Sequence, residues 1–143
     1  EDDYEIAYAN VYTVNQRVAE TFNKGRILLA GDAAHVNNPI GGMGLNGGIH
    51  DAVNLASKLT PVWKGEASAE LLDLYTRQRH KASTDFTQAQ TIANKKQLEE
   101  RDPGIRQHRL DDLRRTSEDK EKARAYMRRA QLIDSVKAAA SIT

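Results

Sequence analysis

Gly25-Arg26-Ile27-Leu28-Leu29-Ala30-Gly31-Asp32-Ala33-Ala34-His35 is followed, three residues later, by Pro39-Ile40-Gly41-Gly42-Met43-Gly44-Leu45-Asn46-Gly47-Gly48. The run from Arg26 to Ala30 reads as a short apolar strand buried on both faces. It stops at Gly31-Asp32, which sets a carboxylate at the carboxyl edge of a sheet, where α/β folds bind ligands. Five of the chain's nine glycines then fall between Pro39 and Gly48, so backbone dominates that stretch. Glycine lets backbone approach a ligand closely. The helix that follows begins with amides that have no partner, and its positive dipole end favours an anion or an electron-rich carbonyl oxygen. A carboxylate for sugar-type hydroxyls beside such a helix start is a cofactor site in outline.

Upstream, Tyr8, Val11, Tyr12, Val14 and Val18 are strand formers in a segment free of Gly and Pro, and Asn23-Lys24-Gly25 is a turn signal. Downstream, Leu45, Ile49, Ala52, Val53, Ala56 and Leu59 share one helical face, which Pro61 is expected to kink or end, with a later stop at Gly65. Ser68 is the expected cap of the next helix, whose face runs Leu71, Tyr75, Gln78, Ala82, Phe86, Ala89 and Ala93. Asp102-Pro103 has the form of a cap and first helical residue. Thr116 and Asp119 have capping-box spacing for a last helix through Ala123, Met127, Ala130 and Ile133. The pattern is β at the front and α-helical after residue 44.

The 143 residues are about one domain's length, and 39% hydrophobic with 29% charged residues is a globular rather than a disordered composition. With no cysteine, disulfides, thiolate metal sites and cysteine nucleophiles are excluded. The acidic start and the absence of any long apolar run fit no signal peptide or membrane span, and the expected location is cytoplasmic. The net charge of +1 divides into −3 over residues 1–94 and +4 over residues 95–143. The basic part interleaves both signs and holds Tyr126 as its sole aromatic, a solvated helix face rather than a nucleic-acid surface.

Other chemistries fare worse. Gly42-Met43-Gly44-Leu45-Asn46-Gly47 satisfies the dinucleotide spacing, but the strand that fingerprint needs ends about a dozen residues too early. There is no serine nucleophile elbow and no phosphate-binding loop. Asp32 and His35 with His50 and Asp51 can be written as a metal set, but chance explains two histidines and two carboxylates as well. His35 reads as a structural hydrogen-bonding residue, His50 as lying on the polar side of its helix, and Asp51 as a local cap or pair. On local physics alone, Asp32 is equally a turn-forming residue after a strand.

The two quoted stretches, continued by Ile49-His50-Asp51-Ala52-Val53-Asn54-Leu55, resemble the second FAD-binding motif of flavin-dependent monooxygenases. The likeness is to the single-component aromatic hydroxylases related to p-hydroxybenzoate hydroxylase, and Tyr12 to Ala19 resembles the strand before that motif. The resemblance implies an α/β fold of the FAD/NAD(P)-binding Rossmann-like kind. Residues 1–66 would end the substrate sheet and carry the flavin motif, and residues 67–143 would form a C-terminal helical region. It implies FAD held by Gly31, Asp32, Gly42, Met43, Gly44, Leu45 and Asn46. Asp32 would bind the ribityl hydroxyls, and the amides at the start of the helix would hold the pyrimidine end of the flavin. Pro39 would lie at the flavin edge beside the substrate pocket, with no residue assigned as catalytic. It further implies NAD(P)H as transient reductant, O2 added at the flavin C4a as a hydroperoxide, and hydroxylation of a phenolic substrate. Asn38 departs from the family by standing where many relatives have a proline. The family's N-terminal fingerprint is absent from these residues. The chain is therefore expected to be the C-terminal portion of a longer monooxygenase, needing an N-terminal FAD-binding segment in cis or in trans. A homodimer stays open. The alternatives are an inactive piece or a helical interaction module exposing Leu71, Leu74, Tyr75 and Phe86, or another flavin reaction such as epoxidation, halogenation or reduction.

Overall fold

A computed structural model describes residues 5–143. Its strands are short and antiparallel: β1 (Arg17–Val18) pairs with β4 (His35–Val36), and β2 (Asn23–Lys24) with β3 (Ile27–Leu28). Helices follow: α1 (Gly44–Trp63), α2 (Leu71–Ala82), α3 (Ala89–Glu99), α4 (Pro103–Glu118), α5 (Lys120–Ala130) and α6 (Ile133–Ala140). The helical character after residue 44 is as expected, whereas no parallel sheet forms among the described residues.

The front of the chain is less regular than its strand formers suggest. Of residues 5–18, only Arg17 and Val18 join a ladder, and Tyr8, Val11 and Tyr12 are exposed. Strand propensity needs a neighbouring strand to bond, and none lies alongside them among the described residues. The apolar run likewise is not buried on both faces. Ile27 is 68% exposed, because Asn23-Lys24-Gly25 folds the run into a hairpin instead of a sheet interior. Gly25 takes φ +57° to make that turn.

The core is small and aromatic. Phe22, Ala34 and Tyr75 are buried, with Val18, Ala19, Leu29 and Leu55 packed around them. Phe22 lies between the rings of His35 (centroids 5.9 Å apart) and Tyr75 (6.2 Å). The Tyr75 hydroxyl donates to the Leu29 carbonyl at 2.6 Å, tying α2 to the end of the hairpin, and burial pushes its pKa up. Tyr75→Phe is expected to cost about 1 kcal/mol, since the Leu29 carbonyl loses a buried partner without loss of packing. A urea denaturation midpoint unchanged from the parent would contradict that.

Helix α1 does not bury its apolar face. Leu45, Ile49 and Val53 are exposed, while Gly47, Asp51 and Lys58 are buried. Pro61 sits in the last turn without breaking it, since the helix ends two residues later, and Gly65 at φ +73° makes the stop. Ser68 forms no side-chain cap; backbone turns such as Leu71 N–H to the Ser68 carbonyl open α2 instead.

From Leu71 to Glu99 the helical rod is continuous, but Ser83–Gln88 is a wider, π-type turn. Such a turn rotates the face that follows. Tyr75, Gln78 and Ala82 are buried as the periodicity requires, whereas beyond the wide turn Thr87, Gln88 and Thr91 replace Phe86, Ala89 and Ala93. That face is polar because it meets loop backbone: Gln88 donates to the Val36 carbonyl, and Gln16 donates to Thr91. Tyr75 is thus internal and Leu71, Leu74 and Phe86 are half-buried, so they do not form the exposed surface of an interaction module.

Asp102 caps α4 by accepting from the Ile105 amide, with Pro103 first in the helix. Thr116 lies inside α4, and Asp119 caps α5 alone by accepting from the Glu121 and Lys122 amides. The expected single last helix is broken at Leu132, whose φ is +60°. Among the described residues, no helix is long and apolar enough to cross a membrane.

Candidate flavin site

Beyond β3 the chain enters a tight turn over Gly31–Ala33, with Gly31 at φ +59°. Gly31 sits against Gly48 of α1, where a Cβ on Gly31 would lie 3.7 Å from the Gly48 Cα. Only glycine is comfortable at that φ, and the close approach brings the turn down onto the helix. Asp32, next in the chain, is exposed.

The loop from Asn37 to Met43 leads into α1. Asn38 is buried, and its Oδ1 accepts from the Ile40 amide at 3.1 Å, so a side-chain turn shapes the loop. Gly41 is pressed against α3: a Cβ there would stand 2.7 Å from Asn94 Nδ2. Helix α1 starts with no side-chain cap and no acid in its first turn. Its first bonded amide is Gly47, to the Met43 carbonyl, and the amides of Gly44, Leu45 and Asn46 have no partner among the described residues.

These parts enclose one groove of about 710 Å³. Gly31 and Asp32 line one side, Pro39 and Gly42 the loop side, and Gly44 and Leu45 the helix start, with Val36, Ile49 and Ala52 forming an apolar wall. Six of the eight residues singled out in the sequence therefore meet. Met43 does not: it is buried beside Gln90, Asn94 and Tyr126, and contributes its carbonyl to the helix. The Asn46 side chain is exposed and does not line the groove. The exposed apolar face of α1 is explained in part, because Leu45, Ile49 and Ala52 face this groove.

Beneath the groove lies a charged cluster that pattern reading missed. Asp51 is fully buried, and its Oδ2 accepts from the Gly31 amide at 2.9 Å and from His35 Nε2 at 2.6 Å. Its Oδ1 accepts from Arg79 Nε at 2.6 Å. Burial pushes the Asp51 pKa up, but the hydrogen bonds from His35 and Arg79, the Arg79 charge and the Gly31 amide outweigh it. The carboxyl is held below its ordinary value and is ionised. An ionised carboxylate only accepts, so His35 carries a proton on Nε2. His35 is thus a structural hydrogen-bonding residue, while Asp51 is no local cap. His50 is half-buried, and burial, then Arg79, lowers its pKa and favours the neutral ring. Among the described residues no three acidic or histidine side chains converge as metal ligands.

A signal for this cluster was present in the sequence. Gly44, Gly47, Gly48 and Asp51 recur at helical spacing, and a glycine face is one that packs closely. An acid on that face must be buried, hence paired. Arg79 stands likewise in the stripe Leu72, Tyr75, Arg79 and Ala82.

A groove joining a glycine-shaped turn, an exposed carboxylate and an uncapped helix start fits a ligand with hydroxyls and a negatively polarised end. The chain belongs to the FAD-binding domain family, whose pattern matches residues 2–90. Among its relatives is the para-nitrophenol 4-monooxygenase of Pseudomonas sp. (strain WBC-3), 46% identical over 105 residues, which cover 73% of this chain and 26% of that protein. A solved structure, the p-nitrophenol 4-monooxygenase PnpA from Pseudomonas putida DLL-E4, matches 92% of this chain and 33% of its own at 40% identity and a TM-score of 0.78. The flavin-dependent monooxygenase PieE, solved in complex with FAD and substrate, matches at 30% identity and a TM-score of 0.58 over 91% of this chain. The chain spans about a quarter of the length of the nitrophenol relative.

Proposed function

We propose that this chain forms the flavin-holding C-terminal part of an FAD-dependent monooxygenase that hydroxylates a phenolic ring, using NAD(P)H and O2. The observation that carries this reading is one groove lined by both the exposed Asp32 and the uncapped start of α1. Asp32 would accept from the ribityl hydroxyls, and the amides of Gly44, Leu45 and Asn46 would donate to the pyrimidine end of the isoalloxazine. Gly31 and Gly42 let backbone close on the ring system, and Pro39 borders the substrate side. FAD, when bound, supplies the redox chemistry, taking electrons from NAD(P)H and activating O2 at C4a. The chain's own work is to orient the ring, stabilise negative charge with the helix dipole and exclude water. Residues 1–66 would carry that motif and residues 67–143 would brace it from behind.

Native mass spectrometry of the purified protein tests the first half of the reading, with one FAD per functional unit as the expected result. NAD(P)H oxidation stimulated by phenols, with a hydroxylated product, tests the second half. Flavin-free protein after reconstitution with excess FAD, with the N-terminal FAD-binding segment present in cis or in trans, would overturn both.

A substitution at Gly44 separates the cofactor from the fold. A Cβ there meets only Asn37 Oδ1 at 3.8 Å, so the chain itself has room for a side chain. Gly44→Val is expected to leave the thermal midpoint of the FAD-free protein within a few degrees. It should weaken FAD by roughly tenfold or more, as a branched side chain displaces the ring from the amides by more than hydrogen-bond reach. Equal FAD affinity in a titration would remove Gly44 from the site.

A further inference from the structure

We propose that Asp51 is a positioning residue for the flavin: held between His35 and Arg79, its carboxylate fixes the Gly31 amide and so sets Asp32 against the start of α1. The inference rests on the flavin reading of that groove and adds a residue that does not line it.

The argument is one of linkage between elements. Gly31 is the residue before Asp32, and its N–H is bound by Asp51 Oδ2 at 2.9 Å. Asp51 lies on α1 seven residues beyond Gly44, about two helical turns from the amides at the start of that helix. A helix is a stiff strut over that length, so one hydrogen bond sets the height of the Asp32 peptide relative to those amides. Free rotation of the carboxylate would spoil this control, and the other two contacts stop it. Arg79 Nε on α2 pins Oδ1 at 2.6 Å, and His35 Nε2 on β4 pins Oδ2 at 2.6 Å. The His35 ring is itself held, stacked on Phe22, and a Cβ at Gly47 would come within 3.3 Å of it.

All three side chains are buried: Asp51 is 0%, His35 2% and Arg79 3% exposed. A buried ion cluster is no more stabilising than apolar packing of the same shape, so its distinctive contribution is directional. Each donor comes from a different element, so the carboxylate ties turn, strand and both helices together.

The test is an FAD titration of the FAD-reconstitutable protein, followed by flavin fluorescence, on the parent, His35→Leu, His35→Gln and Asp51→Glu. Circular dichroism on the same samples fixes a temperature at which each is folded. His35→Leu removes the donor that pins Oδ2 and is expected to weaken FAD roughly ten- to a hundredfold, with a changed absorption spectrum of the bound flavin. His35→Gln keeps an N–H donor and is expected to restore most of that loss. Asp51→Glu keeps the charge for Arg79 but moves the carboxylate, so it should weaken FAD roughly tenfold while remaining folded, which covers the case in which His35→Leu does not fold. A merely structural cluster would lower thermal midpoints without moving FAD affinity or the flavin spectrum below them. Folded variants with the parent's affinity and spectrum overturn the proposal, as does His35→Gln binding no better than His35→Leu. If the parent, supplied with the N-terminal FAD-binding segment, takes up no FAD in the same titration, the flavin reading fails and the positioning role falls with it. Parent and variants binding alike overturns the positioning role alone.

Discussion

Asp51→Ala is expected to lower the free energy of unfolding by about 3–5 kcal/mol, the usual consequence of removing one partner of a buried ion pair. Arg79 would keep its charge in a site only 3% exposed, with the Gly47 carbonyl at 3.4 Å as its remaining acceptor. The Gly31 amide and His35 Nε2–H would lose their acceptor in the same step. Small domains have about 5–15 kcal/mol in hand, so the loss is a large fraction of the total. Urea denaturation reads it as a lower midpoint at an unchanged slope. A midpoint shift equivalent to less than about 1 kcal/mol would mean that water or a rearranged partner already serves Arg79.

The same carboxylate gives the fold an acid limb. Its folded-state pKa lies below the ordinary 3.8, because the bonds from His35 and Arg79 outweigh the opposing effect of burial. A depressed folded pKa means that the unfolded chain binds the proton more readily. The stabilisation is therefore complete above the unfolded value and is lost as pH falls through the folded one. Urea midpoints of the parent should drop steeply below about pH 4, and Asp51→Ala should show a shallower drop. Identical acid slopes would place the acid sensitivity in other carboxylates.

Much of this was legible because the deciding signals are local. Gly31-Asp32, the glycines up to Gly48 and the cap at Asp102-Pro103 act through their own backbone and first neighbours. The single face on either side of Ser83–Gln88 was only half legible, since a wide turn adds a residue to the period without any Gly or Pro to announce it. The strand formers before Val18 misled for the opposite reason: their preference is fulfilled by a partner strand, and partner strands are a property of the whole sheet. The spacing of Leu45, Ile49 and Val53 identifies a helix correctly, but periodicity cannot say what its apolar face meets: Leu45 and Ile49 line the groove and Val53 does not. Asp51 and Arg79 were hardest to see, because their pairing spans 28 residues and two helices. What betrays them is company, an acid among glycines and a cation among Leu72, Tyr75 and Ala82.

Asp32→Ala is expected to weaken FAD by about 2–4 kcal/mol, roughly thirtyfold to nearly a thousandfold, if its carboxylate accepts two ribityl hydroxyls. The fold should barely notice, because an exposed turn residue away from the core is worth within about 0.5 kcal/mol of alanine. Asp32→Asn keeps one acceptor oxygen and should fall between alanine and the parent. The pair of readouts is what gives the experiment its force. Asp32 and Asp51 lie on either side of the Gly31 peptide, one exposed at the groove and one buried beneath it. Loss of Asp32 should move FAD affinity without the urea midpoint, whereas loss of Asp51 should move both. An Asp32→Ala protein that retains FAD through dialysis as the parent does would return that residue to the turn-forming role its sequence also allows. The anion-stabilising start of α1 would then stand as the groove's main attraction for a cofactor.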